Sequence, residues 1–333
     1  MLADVKLHEV EIPIRALKTA SLYEIRINGF VGLVDSGMNG SSIDSLHASG
    51  LDAREVDVLM LTHLHVDHVG GSLAIQQLSG CRIAMGEKDY RILVAIAEDP
   101  DGFKKRYVKR AIENGFPSGL ESSMAQGLPF SSEARKFLDL EVDTLINDDS
   151  SLNDEISYMT VPGHSPGSIA FLIRDQGLLF AGDHILQRIT PNIGVYDGDQ
   201  DMLGEYLKSL EKVKGEKLKT CLPGHGHPFE GISDRIEEIK KHHSLRLDEI
   251  EHVCNEWSSA FSVASRITWN RGRQLSDMND MERNFAFGEA LSHLIHLSLT
   301  GRVKMKSADG IVKFKRQSSR TIPQSLQISS PLS

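Results

Sequence analysis

Between Thr62 and Gly71 the chain reads Thr62-His63-Leu64-His65-Val66-Asp67-His68-Val69-Gly70-Gly71, with three imidazoles and one carboxylate among the six residues from His63 to His68. Imidazole and carboxylate donors without a thiolate suit zinc, iron or manganese, and a set that leaves positions open for water is catalytic rather than structural. Residues 56–61, apolar except for Asp57, are expected to form a buried strand just before this cluster. Histidines two apart at a strand end point the same way, and the turn that follows can swing Asp67 and His68 toward them.

The same device recurs downstream. Apolar runs at 156–161, 178–180 and 220–222 lead into Pro162-Gly163-His164, Ala181-Gly182-Asp183-His184 and Pro223-Gly224-His225-Gly226-His227. One histidine after a strand is ordinarily structural, but four strand ends that each present His or Asp after a tight turn point to one shared sheet edge. Upstream, Leu33-Val34-Asp35-Ser36-Gly37 delivers another carboxylate; Asp35 is either a partner for a metal-binding histidine or a turn former.

These residues need a scaffold of strands and helices, and the pattern supplies one. Residues 5–14 and 22–34 alternate apolar with polar, and Asn28-Gly29 divides the second stretch, so an N-terminal hairpin is expected. Short helices at 41–48 and 72–78, the latter closed by Gly80, alternate with a strand at 81–85. The segment 87–149 breaks the pattern as an insertion, with helical spacing at 90–97 and 103–112 and a Gly-, Ser- and Pro-rich stretch at 116–130. Its Met124, Leu128, Phe130 and Phe137 either line an acyl or aromatic pocket or pack a small core of their own.

Residues 186–196 are too punctuated by Pro and Gly for a helix and form a loop near Asp183, so Arg188, Asn192 and Tyr196 are candidate substrate contacts. His184 and His227, beside ligand-type residues, are two more. Leu203, Leu207, Leu210 and Val213 predict an amphipathic helix ending at Gly215, and Ile236 to Trp257 predict a long one with Ser233 as N-cap. Phe287, Leu291, Leu294 and Ile295 then mark a helix closed by Gly301, followed by a hairpin turning through Ser307-Ala308-Asp309-Gly310. Arg302, Lys304, Lys306, Lys313, Lys315 and Arg316 make that hairpin basic, either to grip a nucleic-acid backbone or to keep an edge from aggregating. Residues 317–333, rich in Ser, Gln and Pro, read as a disordered tail.

Composition narrows the class. The chain has 333 residues, 40% of them hydrophobic, and a net charge of -9, which argues against broad binding to nucleic acid or an anionic membrane. Cys81, Cys221 and Cys254 have no metal-site or disulfide-framework spacing and read as buried small residues. No run approaches the roughly 20 apolar residues of a membrane span, and residues 1–13 lack the order of a signal peptide, so a cytoplasmic protein is expected.

The ordered set Thr62-His63-x-His65-x-Asp67-His68, Pro162-Gly163-His164, Gly182-Asp183 and Pro223-Gly224-His225-Gly226 resembles the motifs of the metallo-β-lactamase superfamily over about residues 20–230. Asp67 and the appended C-terminal helices make the chain more similar to glyoxalase II and lactamase-β-2-like hydrolases than to true β-lactamases. The resemblance implies an α/β fold: a four-layer αβ/βα sandwich over 1–232, then a small helical, winged-helix-like domain within 233–316. It also implies two divalent ions, zinc foremost. His63, His65 and His164 would hold one, Asp67, His68 and His225 the other, with Asp183 bridging. Asp67 and Asp183 would then serve a hydroxide shared by the ions in cleaving a small thioester, ester or lactone. A metal-dependent nuclease or phosphodiesterase acting on RNA or DNA is the alternative activity, and a non-catalytic binding module is a third reading. A small acyl molecule is the expected partner, no membrane is expected, and a homodimer is left open.

Overall fold

The computed structural model describes residues 2–13, 17–119, 132–196, 200–269 and 272–317. The alternating N-terminal stretches pair as an antiparallel meander of β1 (Asp4–Glu11), β2 (Thr19–Ile27) and β3 (Phe30–Val34). Asn28 (φ 52°) and Gly29 (φ 81°) both lie in the left-handed region, as a two-residue turn between twisted strands requires. β4 (Val58–Leu61), β5 (Arg82–Gly86) and β6 (Thr144–Ile146) then add in parallel to complete a six-stranded sheet. The second sheet, also six-stranded, comprises β7 (Ser150–Ser151), β8 (Ser157–Thr160), β9 (Ile169–Ile173), β10 (Leu178–Gly182), β11 (Thr220–Pro223) and β12 (Phe229–Glu230).

Tyr23, Ile25, Met60, Phe171 and Phe180 fill the layer between the sheets. On the outside of the first sheet lie α1 (Ser41–Ala48), the single turn α2 (Val66–Val69), α3 (Ser72–Ser79), α4 (Glu87–Glu98) and α5 (Pro100–Glu113). Leu46, Ile75, Leu93 and Ile96 from these helices share a core with Leu33, Leu59 and Ile83 of the strands. On the second sheet, α6 (Met202–Lys214) and α7 (Ile232–Val253) bring Leu203, Leu210, Ile236 and Ile239 against Leu172 and Leu179. Helix, sheet, sheet, helix is the expected four-layer order.

The C-terminal residues add α8 (Ala260–Ala264), α9 (Asp280–Leu299) and a hairpin of β13 (Val303–Ala308) with β14 (Ile311–Arg316). Asn279 caps α9, its side chain accepting from the Glu282 N–H while the Glu282 carboxylate accepts from the Asn279 N–H. Phe287, Leu291 and Leu294 join the same apolar cluster as α6, α7 and the second sheet. The hairpin puts Lys304 opposite Lys315 and Lys306 opposite Lys313, four cations on one face. Arg302 and Arg316 pair with Glu251 of α7, and Lys315 with Glu256.

Three expectations need adjustment or a limit. α7 starts two residues earlier than a Ser233 cap allows: Gly231, left-handed at φ 81°, is the N-cap and no side chain caps the helix. Burial of Ile232 on the second sheet outweighs the local preference of a serine. Phe137 is buried in the core shared by α4 and the residues beside it, so it packs rather than lining a pocket; Met124, Leu128, Phe130 and the tail beyond Gln317 lie outside the described residues. All three cysteines are buried and unpaired. Among the described residues no helix is long and apolar enough to cross a membrane.

Candidate metal centre

Strand direction brings the candidate ligands together. β3 runs parallel to β4, β10 parallel to β11, and β8 runs with β10 because both oppose β9, so residues following these strands collect at common ends of the sheets. At that edge the ring nitrogens of His63, His65 and His164 converge: His63 Nε2 and His164 Nε2 lie 3.0 Å and 2.9 Å from His65 Nδ1.

The outward nitrogens are already committed. The Asn192 carbonyl can only accept, so His164 Nδ1–H donates to it over 2.8 Å and Nε2 is left with its lone pair. Thr62 Oγ1 donates its own proton to Asp35 Oδ2 (2.8 Å) and accepts from His63 Nδ1–H at 3.0 Å, which leaves His63 Nε2 in the same state. His65 Nε2 lies 2.7 Å from the Tyr196 hydroxyl. Burial, with neighbouring imidazoles adding to it, lowers the pKa of His63 and pulls that of His65 down to about 3. For His164 burial also wins, against the raising pull of Asp183. Neutral rings, with the His63 and His164 lone pairs turned toward His65 Nδ1, are the form in which imidazole binds a metal.

A second set adjoins the first. His68 Nδ1–H donates to Asp35 Oδ2 at 2.7 Å and His225 Nδ1–H to the Thr19 carbonyl at 2.7 Å. Their Nε2 atoms and Asp183 Oδ1 are buried with no hydrogen-bond partner. His225 Nε2 is 3.4 Å from Asp67 Oδ2 and 3.5 Å from Asp183 Oδ2, while Asp183 also lies 3.7 Å from both His164 Nε2 and His68 Nε2. Burial lowers the pKa of His68 and His225, yet the carboxylates around them outweigh it and raise the two to about 9 and about 11. Burial likewise resists ionisation of Asp67, but His68 and His225 hold it down at about 2. Buried ring nitrogens and carboxylates gathered this closely are a donor set that fits a divalent metal.

Asp35, held left-handed at φ 61° after β3, accepts from the Thr62 N–H (2.8 Å), Thr62 Oγ1 and His68 Nδ1, so one carboxylate orients a histidine of each set. Asp35→Asn is expected to weaken metal binding about 10- to 100-fold, the usual effect of losing an outer hydrogen-bond partner, with the fold intact by circular dichroism. Competition against a chromogenic chelator reads this directly, and affinity unchanged within twofold would remove Asp35 from the site.

The other candidates separate. Tyr196 reaches the site at His65, and Asn192 meets His164 through its carbonyl while its amide donates to the Phe285 carbonyl (3.1 Å) and to Glu289 (3.3 Å) of α9. His184 is buried with its ring 5.2 Å from that of Tyr206, its carbonyl accepting the Tyr206 hydroxyl proton. Arg188 and His227 are exposed. Sequence reasoning missed the roles of Thr62, which links His63 to Asp35, and of Asp89, which accepts from the Leu64 and Gly167 N–H groups and the Ser165 hydroxyl beside the candidate ligands.

Comparisons with known proteins agree with this geometry. A family model described as metallo-beta-lactamase superfamily matches residues 18–225, and one described as metallo-beta-lactamase-like, C-terminal domain, matches 247–317. The beta-lactamase-like protein 2 homolog of Drosophila melanogaster is 28% identical over 59% of this chain and 53% of its own length. An atrochrysone carboxyl ACP thioesterase of Aspergillus fumigatus is 24% identical over 62% of this chain and 50% of its own. The chain thus spans about half the length of these curated relatives. A metallo-beta-lactamase family protein from Thermus thermophilus superposes with a TM-score of 0.77 at 25% identity, covering 94% of this chain and 98% of that one. Motifs, sheet order and a family match across residues 18–225 lead to one conclusion: the chain belongs to the metallo-beta-lactamase superfamily.

Proposed function

We propose that the chain is a dinuclear metal-dependent hydrolase of a small thioester, ester or lactone. The observation that carries this reading is the pair of orphaned, buried Nε2 atoms of His68 and His225 beside the orphaned Asp183 Oδ1, next to a His65 Nδ1 about 3 Å from both His63 Nε2 and His164 Nε2. His63, His65 and His164 would hold one ion, Asp67, His68 and His225 the other, and Asp183 both; zinc is the expected metal, with iron or manganese as substitutes. Bound there, such ions bring the pKa of water toward about 7 and stabilise negative charge on an attacked oxygen.

The chain's own residues do the rest. Asp67, kept ionised, accepts a hydrogen bond or proton from the attacking water, while Asp35 and Thr62 keep His68 and His63 aimed inward. Burial holds the Tyr196 hydroxyl protonated beside His65, where it can donate to substrate. The acyl preference draws support from the thioesterase relative. We divide the chain into a catalytic unit at 1–232, with the 87–149 insertion over the site, and a winged-helix-like unit at 233–316, in keeping with the separate family match at 247–317. Unpaired cysteines suit a cytoplasmic setting.

A second reading, cleavage of RNA or DNA, draws on the hairpin. Lysines directly opposite each other repel, so the Lys304–Lys315 and Lys306–Lys313 pairs are a cost that edge protection alone does not require. The half-buried Trp257 ring lies 4.1 Å from Lys306 Nζ on that hairpin. A hydrolysis panel of acyl-thioesters, lactones, phosphodiesters and RNA, with metal content measured in parallel, decides between the readings. Turnover of a thioester or lactone is expected; cleavage of RNA with no acyl substrate turned over would reverse the preference.

A further inference from the structure

Asp89, in the first turn of α4, is fully buried, 21 residues beyond the ligand cluster, and belongs to no ligand set. Its carboxylate faces three donors. Oδ2 accepts the Leu64 N–H at 2.9 Å and the Ser165 hydroxyl at 2.5 Å; Oδ1 accepts the Gly167 N–H at 2.6 Å. Leu64 stands between His63 and His65, and Ser165 follows His164. The Ser168 hydroxyl closes the group, 2.6 Å from Ser165 Oγ and accepting from the Ser165 N–H at 3.1 Å.

We propose that Asp89 is a positioning residue that ties the His63–His65 loop of the first sheet to the His164 loop of the second, setting the three-histidine arrangement before a metal arrives. This rests on the reading of those histidines as one metal position. His65 Nδ1 lies 3.0 Å from His63 Nε2 of its own loop and 2.9 Å from His164 Nε2 of the other, so the three can face one point only if the two loops are held in register. No backbone hydrogen bond among the described residues directly joins residues 63–65 to residues 164–167; the nearest link is Ile169 N–H to the Thr62 carbonyl. Asp89 spans that gap from a third element. The close fit agrees: a Cβ on Gly167 would sit 2.5 Å from Asp89 N, and one on Gly86 1.9 Å from the Gly167 carbonyl oxygen. Burial pushes the Asp89 carboxyl up to about 6, against three hydrogen bonds that pull it down, so the group keeps its charge at neutral pH at a cost to folding.

The test is metal affinity resolved by position, read by chelator competition and by the absorption of cobalt-loaded protein. His164→Ala first identifies which of two equivalents belongs to the three-histidine position. Asp89→Asn keeps the shape but turns an amide NH2 toward one of the donors; it is expected to weaken that equivalent tenfold or more and alter its cobalt spectrum, leaving the Asp67–His68–His225 equivalent within twofold. Ser165→Ala, which removes one donor, should give a smaller loss at the same position and stands in if Asp89→Asn does not fold. Equal weakening of both equivalents, or an unchanged first one, overturns the proposal. If the wild type takes a single ion, the two-metal reading fails while the Asp89→Asn comparison on that ion still decides this one.

Discussion

Asp183→Asn is expected to lower kcat/KM by about 10²–10³-fold, the range for deleting one preorganised electrostatic group, and to lower the metal bound per chain in the same preparation. The substitution keeps volume and shape, so packing is not its main effect. What changes is the charge at a point 3.5 Å from His225 Nε2 and 3.7 Å from both His68 Nε2 and His164 Nε2, where a carboxylate touches both ligand sets at once. Burial opposes ionisation of Asp183, but His225, His68 and His164 together keep it charged well below the usual carboxylate range. A neutral amide offers one oxygen and leaves two buried imidazoles with less negative charge between them. Kinetics and mass-spectrometric metal content measured on one sample check the expectation, and wild-type turnover at wild-type metal content would remove Asp183 from its central place.

Gly224→Ala should be nearly as damaging although it adds only a methyl group. The new Cβ would stand 2.5 Å from Asp183 Oδ1 and 2.7 Å from His68 Cε1, distances that non-bonded carbon does not tolerate. The backbone cannot retreat: the Gly224 N–H donates to the Gly182 carbonyl and the Gly224 carbonyl accepts from Ser21 N–H, each at 2.8 Å. Either Asp183 or His68 must shift, and a displacement near 1 Å costs on the order of 10²-fold in rate, with about 1–3 kcal/mol of stability lost to overpacking. Gly226→Ala is the control. Nothing lies within 4 Å of its added Cβ, but its φ of +84° disfavours a side chain, so it should lose about 1 kcal/mol of stability and no metal. Equal metal loss in both variants would show that backbone strain, not the methyl against Asp183, was responsible.

The candidate ligands were legible because each follows a short apolar strand and a turn, a pattern that local sequence carries in full. Element placement was legible from the same kind of pattern: β10 and α1 fall where the apolar spacing puts them. The positioning groups were not legible, because their partners are remote. Asp89 sits inside an ordinary helical stretch and finds Leu64, Ser165 and Gly167 at separations of 25, 76 and 78 residues. Thr62 reads as a strand-end residue until Asp35, 27 positions earlier, is folded against it. Ser233 has the right chemistry for a cap, but the helix start is fixed by what Ile232 buries. Local propensity loses to tertiary packing in such places.

The central claim is that two ions act together at this edge. Metal-free protein, prepared by chelation, should be folded and inactive toward whichever acyl substrate the panel identifies. Titration with zinc should restore hydrolysis, and the activity should reach its plateau at two equivalents per chain. A plateau at one equivalent, or turnover that survives complete metal removal, would contradict the account.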